Sequence, residues 1–240
     1  MRQVKNRIAT DEGGIVSPRR RRRLHGHLFQ DRVEAGRQLG SRLAGWRNAG
    51  ALVLALPRGG VPVAAEVAHD LGAELDVVIA RKIGAPHQPE LAIGAVTADG
   101  GLFLDTRIID DLNIAPERLD RLIATEREIA SQREFRFRKD RPALRLRGRT
   151  VIVVDDGLAT GATMRAAIRA IRKQRPERIV VAVPVGSRQA VEAVVELVDR
   201  VVCLYTPEPF RSVGVFYRYF EQVDDDEVVR ILADFRNHPL

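Results

Sequence analysis

The segment Val151-Ile152-Val153-Val154-Asp155-Asp156-Gly157-Leu158-Ala159-Thr160-Gly161-Ala162-Thr163 constrains this chain more than any other. Four β-branched residues in a row predict a buried strand. Two adjacent carboxylates follow, then a short loop of small and hydroxyl residues. Met164 to Arg172 then reads as a helix. A strand, a tight polar loop and a helix start form an anion site, because backbone N–H groups and the positive end of the helix dipole converge on one point. Gly157 and Gly161 let the backbone come close, and Thr160 and Thr163 offer hydroxyl donors. Asp155 and Asp156 stand beside that point, where they suit hydroxyl groups or a divalent metal. A Walker A loop would need Lys where Ala162 stands, and no G-x-G-x-x-G run follows the strand. An ordinary β–α turn, with Asp-Gly at the turn and Thr as the cap, would use some of the same residues. The succession of apolar run, paired acids and Thr-Gly-x-Thr is more specific than such a turn requires.

The rest of the chain supplies matching elements. Apolar residues recur at helical spacing from Leu28 to Trp46, and Ala51 to Leu56 is a continuous apolar strand. Pro57-Arg58-Gly59-Gly60 breaks it, and Pro62 to Leu71 reads as a helix closed by Gly72. Asp76 to Ala80 reads as a second strand that leads into Arg81-Lys82. A loop over Gly84–Glu90 follows, and Leu91 to Val96 with Leu102 to Leu104 reads as a hairpin. Pro116 to Lys139 predicts a long helix with a charged, solvated side. Beyond Arg149 to Asp155 and Ala162 to Lys173 come a strand over Arg178–Val185, a helix over Arg188–Leu197 and a strand over Val201–Tyr205. Strands alternating with helices predict an α/β fold: a mostly parallel twisted sheet with helices on both faces. Ligands on such sheets bind at the carboxyl ends of strands. Leu56-Pro57-Arg58-Gly59-Gly60-Val61 and the acidic pair both fall there, so one cleft can collect them.

The loop over 155–163 resembles the phosphoribosyl-pyrophosphate loop of the type I phosphoribosyltransferases. The resemblance runs from about Leu28 to Leu232 and is strongest at 56–61 and 151–163. It implies that Asp155 and Asp156 hold the ribose 2′- and 3′-hydroxyls, and that Gly157 and Ala159, Thr160, Gly161, Ala162 and Thr163 wrap the 5′-phosphate. It implies a pyrophosphate role for Arg58 and Gly59, in a turn where the family often has a cis peptide. From its place at the end of the second strand, Lys82 is read either as a cation that meets the pyrophosphate or the sugar phosphate, or as a plain surface cation. His87 lies in the loop over 84–90, which could serve as a lid, although a lone loop His is more often simply exposed. Segments outside the sheet would form a small hood that stacks the acceptor base. The chain has twelve aromatic residues, and five fall between Phe210 and Phe220; Phe210 is the first stacking candidate. The stretch Phe216 to Val223 is similar to the C-terminal end of a bacterial subgroup of the family.

The implied reaction joins a nitrogen acceptor, a nucleobase or similar, to ribose C1 with release of pyrophosphate. The implied cofactor is Mg²⁺, held mainly by substrate oxygens with no direct protein ligand, near Asp155 and Asp156. Transferases of 6-oxopurines carry an acid just before this Thr-Gly, where Ala159 stands, so the loop is closer to the adenine type. The general base is left open, with Glu90 or a hood residue as candidates. Two other readings share the cradle. One is a non-catalytic phosphoribosyl-pyrophosphate-binding regulator that contacts nucleic acid through its arginines. The other is a phosphorolytic or hydrolytic sugar-phosphate enzyme.

Composition narrows the partners. The net charge of +7 is concentrated in residues 1–27, which carry eight Lys/Arg against two Asp/Glu. The other 213 residues carry 31 against 30. Residues 1–27, with the block Arg19 to Arg23, read as a basic disordered tail, and 28–240 as the folded domain with a hood segment at 206–232. The near-neutral body argues against nucleic acid as a partner. One cysteine, Cys203, allows no intrachain disulfide and reads as a buried, inert thiol. No apolar run is long enough to span a membrane, and Leu24-His25-Gly26-His27 is not the apolar core of a secretory signal. A cytoplasmic protein is the default expectation, and a homodimer is common for the fold.

Overall fold

The computed structural model describes residues 8–9, 27–139, 141 and 144–237. In chain order the elements are β1 (Ile8–Ala9), α1 (Arg32–Arg42), β2 (Leu52–Ala55), α2 (Gly60–Leu71) and β3 (Glu74–Val77). A hairpin region follows: β4 (Ala80–Ala85), β5 (Gln88–Thr97) and β6 (Leu102–Leu104). Next come α3 (Thr106–Asp111), α4 (Pro116–Arg138), β7 (Thr150–Val154), α5 (Ala162–Lys173) and β8 (Arg178–Val185). The chain closes with α6 (Arg188–Val195), β9 (Arg200–Tyr205) and α7 (Asp225–Asn237).

Six strands form one fully parallel sheet in the order β1-β9-β8-β7-β2-β3. Side chains alternate between its faces, as a pleated strand requires. Val53, Ala55, Ile152, Val154, Val180 and Ala182 pack under α1, α2 and α7. Leu52, Leu54, Val151, Val153, Val181 and Val183 pack under α5 and α6. Both faces are therefore covered, which explains why these strands read as continuous apolar runs. β4, β5 and β6 make a separate antiparallel sheet, order β4-β5-β6, stacked against α4 and α5.

The chain runs outward from the centre in both directions. β2 leads through α2 to β3 on one side. β7 leads through α5, β8 and α6 to β9 on the other. β2 and β7 are hydrogen-bonded neighbours, with Ala55 beside Val154. Loops leaving the carboxyl ends of these two strands must diverge, and a crevice opens between them.

Several elements differ from the sequence expectation. The first helix starts at Arg32, where Asp31 caps it by accepting from the Glu34 N–H at 2.8 Å. Residues 28–30 instead run beside the C-terminal segment, with the Arg218 N–H donating to Phe29 O at 2.9 Å and the Tyr219 N–H to Gln30 O at 2.8 Å. The second strand stops at Val77, and Lys82 lies inside β4 rather than at a strand end. The region expected to be a loop over 84–90 is largely hairpin, turning at Pro86–His87. From Asp225 onward the chain is α7, which packs on α2, β3 and α4. Of the basic segment 1–27, Ile8–Ala9 pair in parallel with Val201–Val202 at the sheet edge. Arg19 to Arg23 lie outside the described residues. Among the described residues no helix is long and apolar enough to cross a membrane.

Ile152 is fully buried in the central strand. Ile152→Ala is expected to cost about 2–5 kcal/mol of stability, read as a lower urea midpoint with an unchanged slope.

Candidate active site

The two diverging loops meet at the acidic pair. After β2, the Pro57–Arg58 peptide is cis. The turn closes through Gly60 N–H to Leu56 O at 3.1 Å and Val61 N–H to Arg58 O at 3.1 Å. Within the described residues no hydrogen bond engages the N–H of Arg58 or Gly59. Gly59 is required by proximity: a Cβ there would lie 2.0 Å from Asp156 Oδ2. At Gly60 it would lie 3.1 Å from Asp155 Oδ1. Glycine at both places lets the β2 turn sit directly on the acids that end β7.

The loop after β7 is stitched down at its middle. Leu158 forms a bridge with Gly186: its N–H donates to Val185 O at 2.8 Å, and Ser187 N–H donates to Leu158 O at 2.8 Å. Ser187 caps α6, and its hydroxyl donates to Ala159 O at 2.7 Å. Gly161 has φ +75°, a left-handed value that favours glycine, and it turns the chain into α5. Within the described residues no hydrogen bond engages the N–H groups of Ala159, Thr160, Gly161 or Thr163. Those donors gather at a helix start, which makes an anion cradle. Ala159 and Thr160 are exposed, Gly161 and Ala162 are buried, and Gly157 is buried against Val213.

The acids themselves are deep. Burial pushes the Asp155 carboxyl well above the usual range, and the Asp156 charge pushes the same way; the Asp156 N–H to Asp155 Oδ1 bond at 2.9 Å opposes them. Burial also raises Asp156, while Arg32 pulls it back. Arg32 Nε sits 2.9 Å from Asp156 Oδ2, with the two side chains 11% and 14% exposed. The Tyr217 hydroxyl donates to the Asp156 backbone oxygen at 2.6 Å. Neither Arg32 nor Tyr217 stands out in the sequence. Arg32 lies 124 positions from its partner, and its one local signal is the capping Asp31 just before it.

A family model for the phosphoribosyl transferase domain matches residues 30–219. The chain belongs to the phosphoribosyltransferase family. It is 45% identical over 205 residues to the candidate phosphoribosyl transferase Rv0571c of Mycobacterium tuberculosis, covering 85% of this chain and 46% of that protein. The chain thus spans about half the length of the curated relatives it matches. The crystal structure of TT1426 from Thermus thermophilus is 44% identical, with a TM-score of 0.72, over 86% of this chain and 98% of that one.

The remaining expected residues of the phosphoribosyltransferase site fall into two groups. Arg58, half-buried, lies 3.6 Å from Asp225 at the start of α7, too far for a hydrogen bond. Asp225 is also held by Arg136 at 3.1 Å. Lys82 lines a cavity of about 410 Å³ between β4 and α4, together with Arg81, Glu126 and Arg133. Arg81 pairs with Glu126 at 2.5 Å. Burial depresses the Arg133 guanidinium, as do the charges of Arg81 and Arg58. Arg133 is a cation that sequence reading misses, because it is one of many on a charged helix. His87 is exposed at the hairpin turn. The side chain of Glu90 lies outside the described residues.

On the other side stands the hood. Phe210 follows the cis Glu208–Pro209 bond and packs on Phe216, ring centroids 5.2 Å apart. Both join the cluster of Phe29, Tyr217 and Phe220. Phe210 is thus part of the hood's own core. Cys203 is buried, its thiol pushed up to about 12 by desolvation, as an inert thiol should be.

The sign of the Asp155 shift sets a stability trend. A carboxyl raised by folding binds protons more tightly in the folded state, so it costs stability as pH rises from the unfolded carboxylate range toward the folded value. Asp155→Asn is expected to melt above the wild type at pH 7. The gain should shrink as pH falls and vanish below the unfolded carboxylate range, where Asp155 is protonated in both states; melting curves across pH check this.

Proposed function

We propose that the protein transfers the 5-phosphoribosyl group from phosphoribosyl pyrophosphate to a nitrogen acceptor, a nucleobase or a similar ring, with release of pyrophosphate. The observation that carries this reading is the meeting of three parts at one crevice. These are the buried Asp155–Asp156 pair, the open amides of 159–163 and the Arg58–Gly59 turn. Family membership supports the same chemistry.

Each part has one task. The loop amides and the start of α5 hold the 5′-phosphate. Asp156, held in place by Arg32, accepts from one ribose hydroxyl, and Asp155 beside it takes the other. Holding both hydroxyls fixes ribose C1 in the crevice, so that the acceptor nitrogen and the leaving oxygen lie on opposite sides of it. As the C1–O bond breaks, charge grows on pyrophosphate. Arg58 and the Arg58 and Gly59 N–H groups stabilise it there. Asp225 holds Arg58 only loosely, so the guanidinium can turn to the anion.

Mg²⁺ fits as a substrate-borne ion. Oxygens of the diphosphate and ribose would carry it, with Asp155 and Asp156 as neighbouring carboxylates. When bound, it neutralises charge on the leaving group. The acceptor enters from the hood side. Ala159 offers no proton acceptor there, which favours an acceptor that needs no strong base at that place.

Incubating the protein with Mg²⁺, phosphoribosyl pyrophosphate and a pool of bases and amines is expected to yield a ribosyl 5′-phosphate product by mass spectrometry. Tight binding without product would favour the non-catalytic regulator, and no binding would reject the reading. Asp155→Asn with Asp156→Asn is expected to abolish binding of phosphoribosyl pyrophosphate while the circular dichroism spectrum is unchanged. Arg58→Ala should weaken pyrophosphate about tenfold or more and leave ribose 5-phosphate nearly unaffected, both measured by calorimetry.

A further inference from the structure

Arg32 belongs to neither loop of the crevice, yet it touches the centre of the site. Its Nε holds Asp156 Oδ2 at 2.9 Å. Its Nη1 donates to the backbone oxygen of Glu221 at 2.8 Å. Its guanidinium carbon lies 3.8 Å from the centroid of the Phe220 ring. One side chain from α1 is therefore bound at once to the acid pair and to the C-terminal edge of the hood.

That geometry is expensive to build unless it is used. A buried carboxylate left alone loses its charge or its place. Asp156 is crowded on one side by Gly59, whose missing Cβ would sit 2.0 Å from Oδ2. Arg32 takes that same oxygen, so the carboxylate cannot rotate freely. Stacking on Phe220 and the bond to Glu221 restrain the guanidinium in turn, and a planar, five-donor group can make all these contacts together. The hood edge is pinned to the segment just before α1 by the Phe29–Tyr217 bridge. Hence the position of Asp156 depends on an intact hood.

We infer that Arg32 is the positioning residue for the sugar site: it orients Asp156 toward the ribose and links that orientation to the hood. The inference rests on the ribose role proposed above for the acid pair. Arg32 acts through Asp156 and need not touch substrate. A guanidinium that merely stabilised the fold would affect all ligands alike. A positioning role predicts a split between ligands that contain ribose and ligands that do not.

Calorimetry with ribose 5-phosphate, with Mg²⁺-pyrophosphate and with phosphoribosyl pyrophosphate provides the test, on the full chain. Arg32→Ala is expected to weaken ribose 5-phosphate roughly tenfold to a hundredfold and to leave pyrophosphate within about twofold. Arg32→Lys should recover part of the loss, since it restores charge but not the fork. On an Asp156→Asn background the further loss from Arg32→Ala should nearly disappear, because the two residues act as one unit. If Arg32→Ala does not fold, Arg32→Lys and Phe220→Leu carry the same ligand comparison with milder changes. Equal weakening of both ligands, no weakening, or tighter ribose binding would overturn the inference while leaving the phosphoribosyl reading intact. Wild-type protein that binds pyrophosphate but neither ribose ligand would defeat that reading itself, and this inference with it.

Discussion

Two neighbouring parallel strands that send their chains in opposite directions are the constraint on which everything else depends. β2 and β7 pair residue for residue, with Leu52 opposite Val151 and Ala55 opposite Val154. One crossover leaves toward β3, the other toward β8. The loops cannot cover the space between them, so that space is left as a crevice lined by backbone. Gly59 and Gly60 bring the first loop down onto the second. The Leu158–Gly186 bridge and the Ser187 hydroxyl hold the second open as a ring of amides. The cradle is thus a by-product of sheet topology, trimmed by a few small residues.

Placing two carboxylates at such a point works against stability. Burial raises both carboxyls, and at Asp155 the neighbouring Asp156 charge adds to it. One guanidinium offsets part of the cost. The structure keeps the arrangement although apolar residues of similar size would suit the fold better. Perturbed carboxyls concentrated in a crevice are the mark of a candidate functional site. The same logic runs through the cationic side, where Arg58, Arg81 and Arg133 gather near only a few carboxylates, Glu126 and Asp225 among them.

The parts that were legible in the sequence are those with short range. The strand over 151–154, its acids and the helix from Ala162 are contiguous, and period and composition announce them. The turn after β2 is legible because Pro-Arg-Gly-Gly cannot continue either element. The hairpin over 80–97 was only half visible. Pro86 and Pro89 mark a loop, but antiparallel pairing on both sides of them carries the strands almost to the turn. Helix α7 was not legible because the aromatic stretch before it and its own amphipathic pattern run together without a break in composition. Arg32 and Arg133 were not legible at all. Each is one arginine among many in a helix, and its role depends on what lies across a gap of chain.

By itself the sequence determined the alternation of strands and helices through the central sheet, the strand–loop–helix segment over 151–173 and the paired acids within it, because each is set by residues close to one another along the chain. Only the tertiary structure decided which turn rests on those acids, which cation holds them and how the two ends of the chain close into a hood. Hydrogen bonding within a strand or helix is local, and patterning reveals it. The partner of a buried charge is chosen by packing, and packing joins residues as far apart in sequence as Arg32 and Asp156.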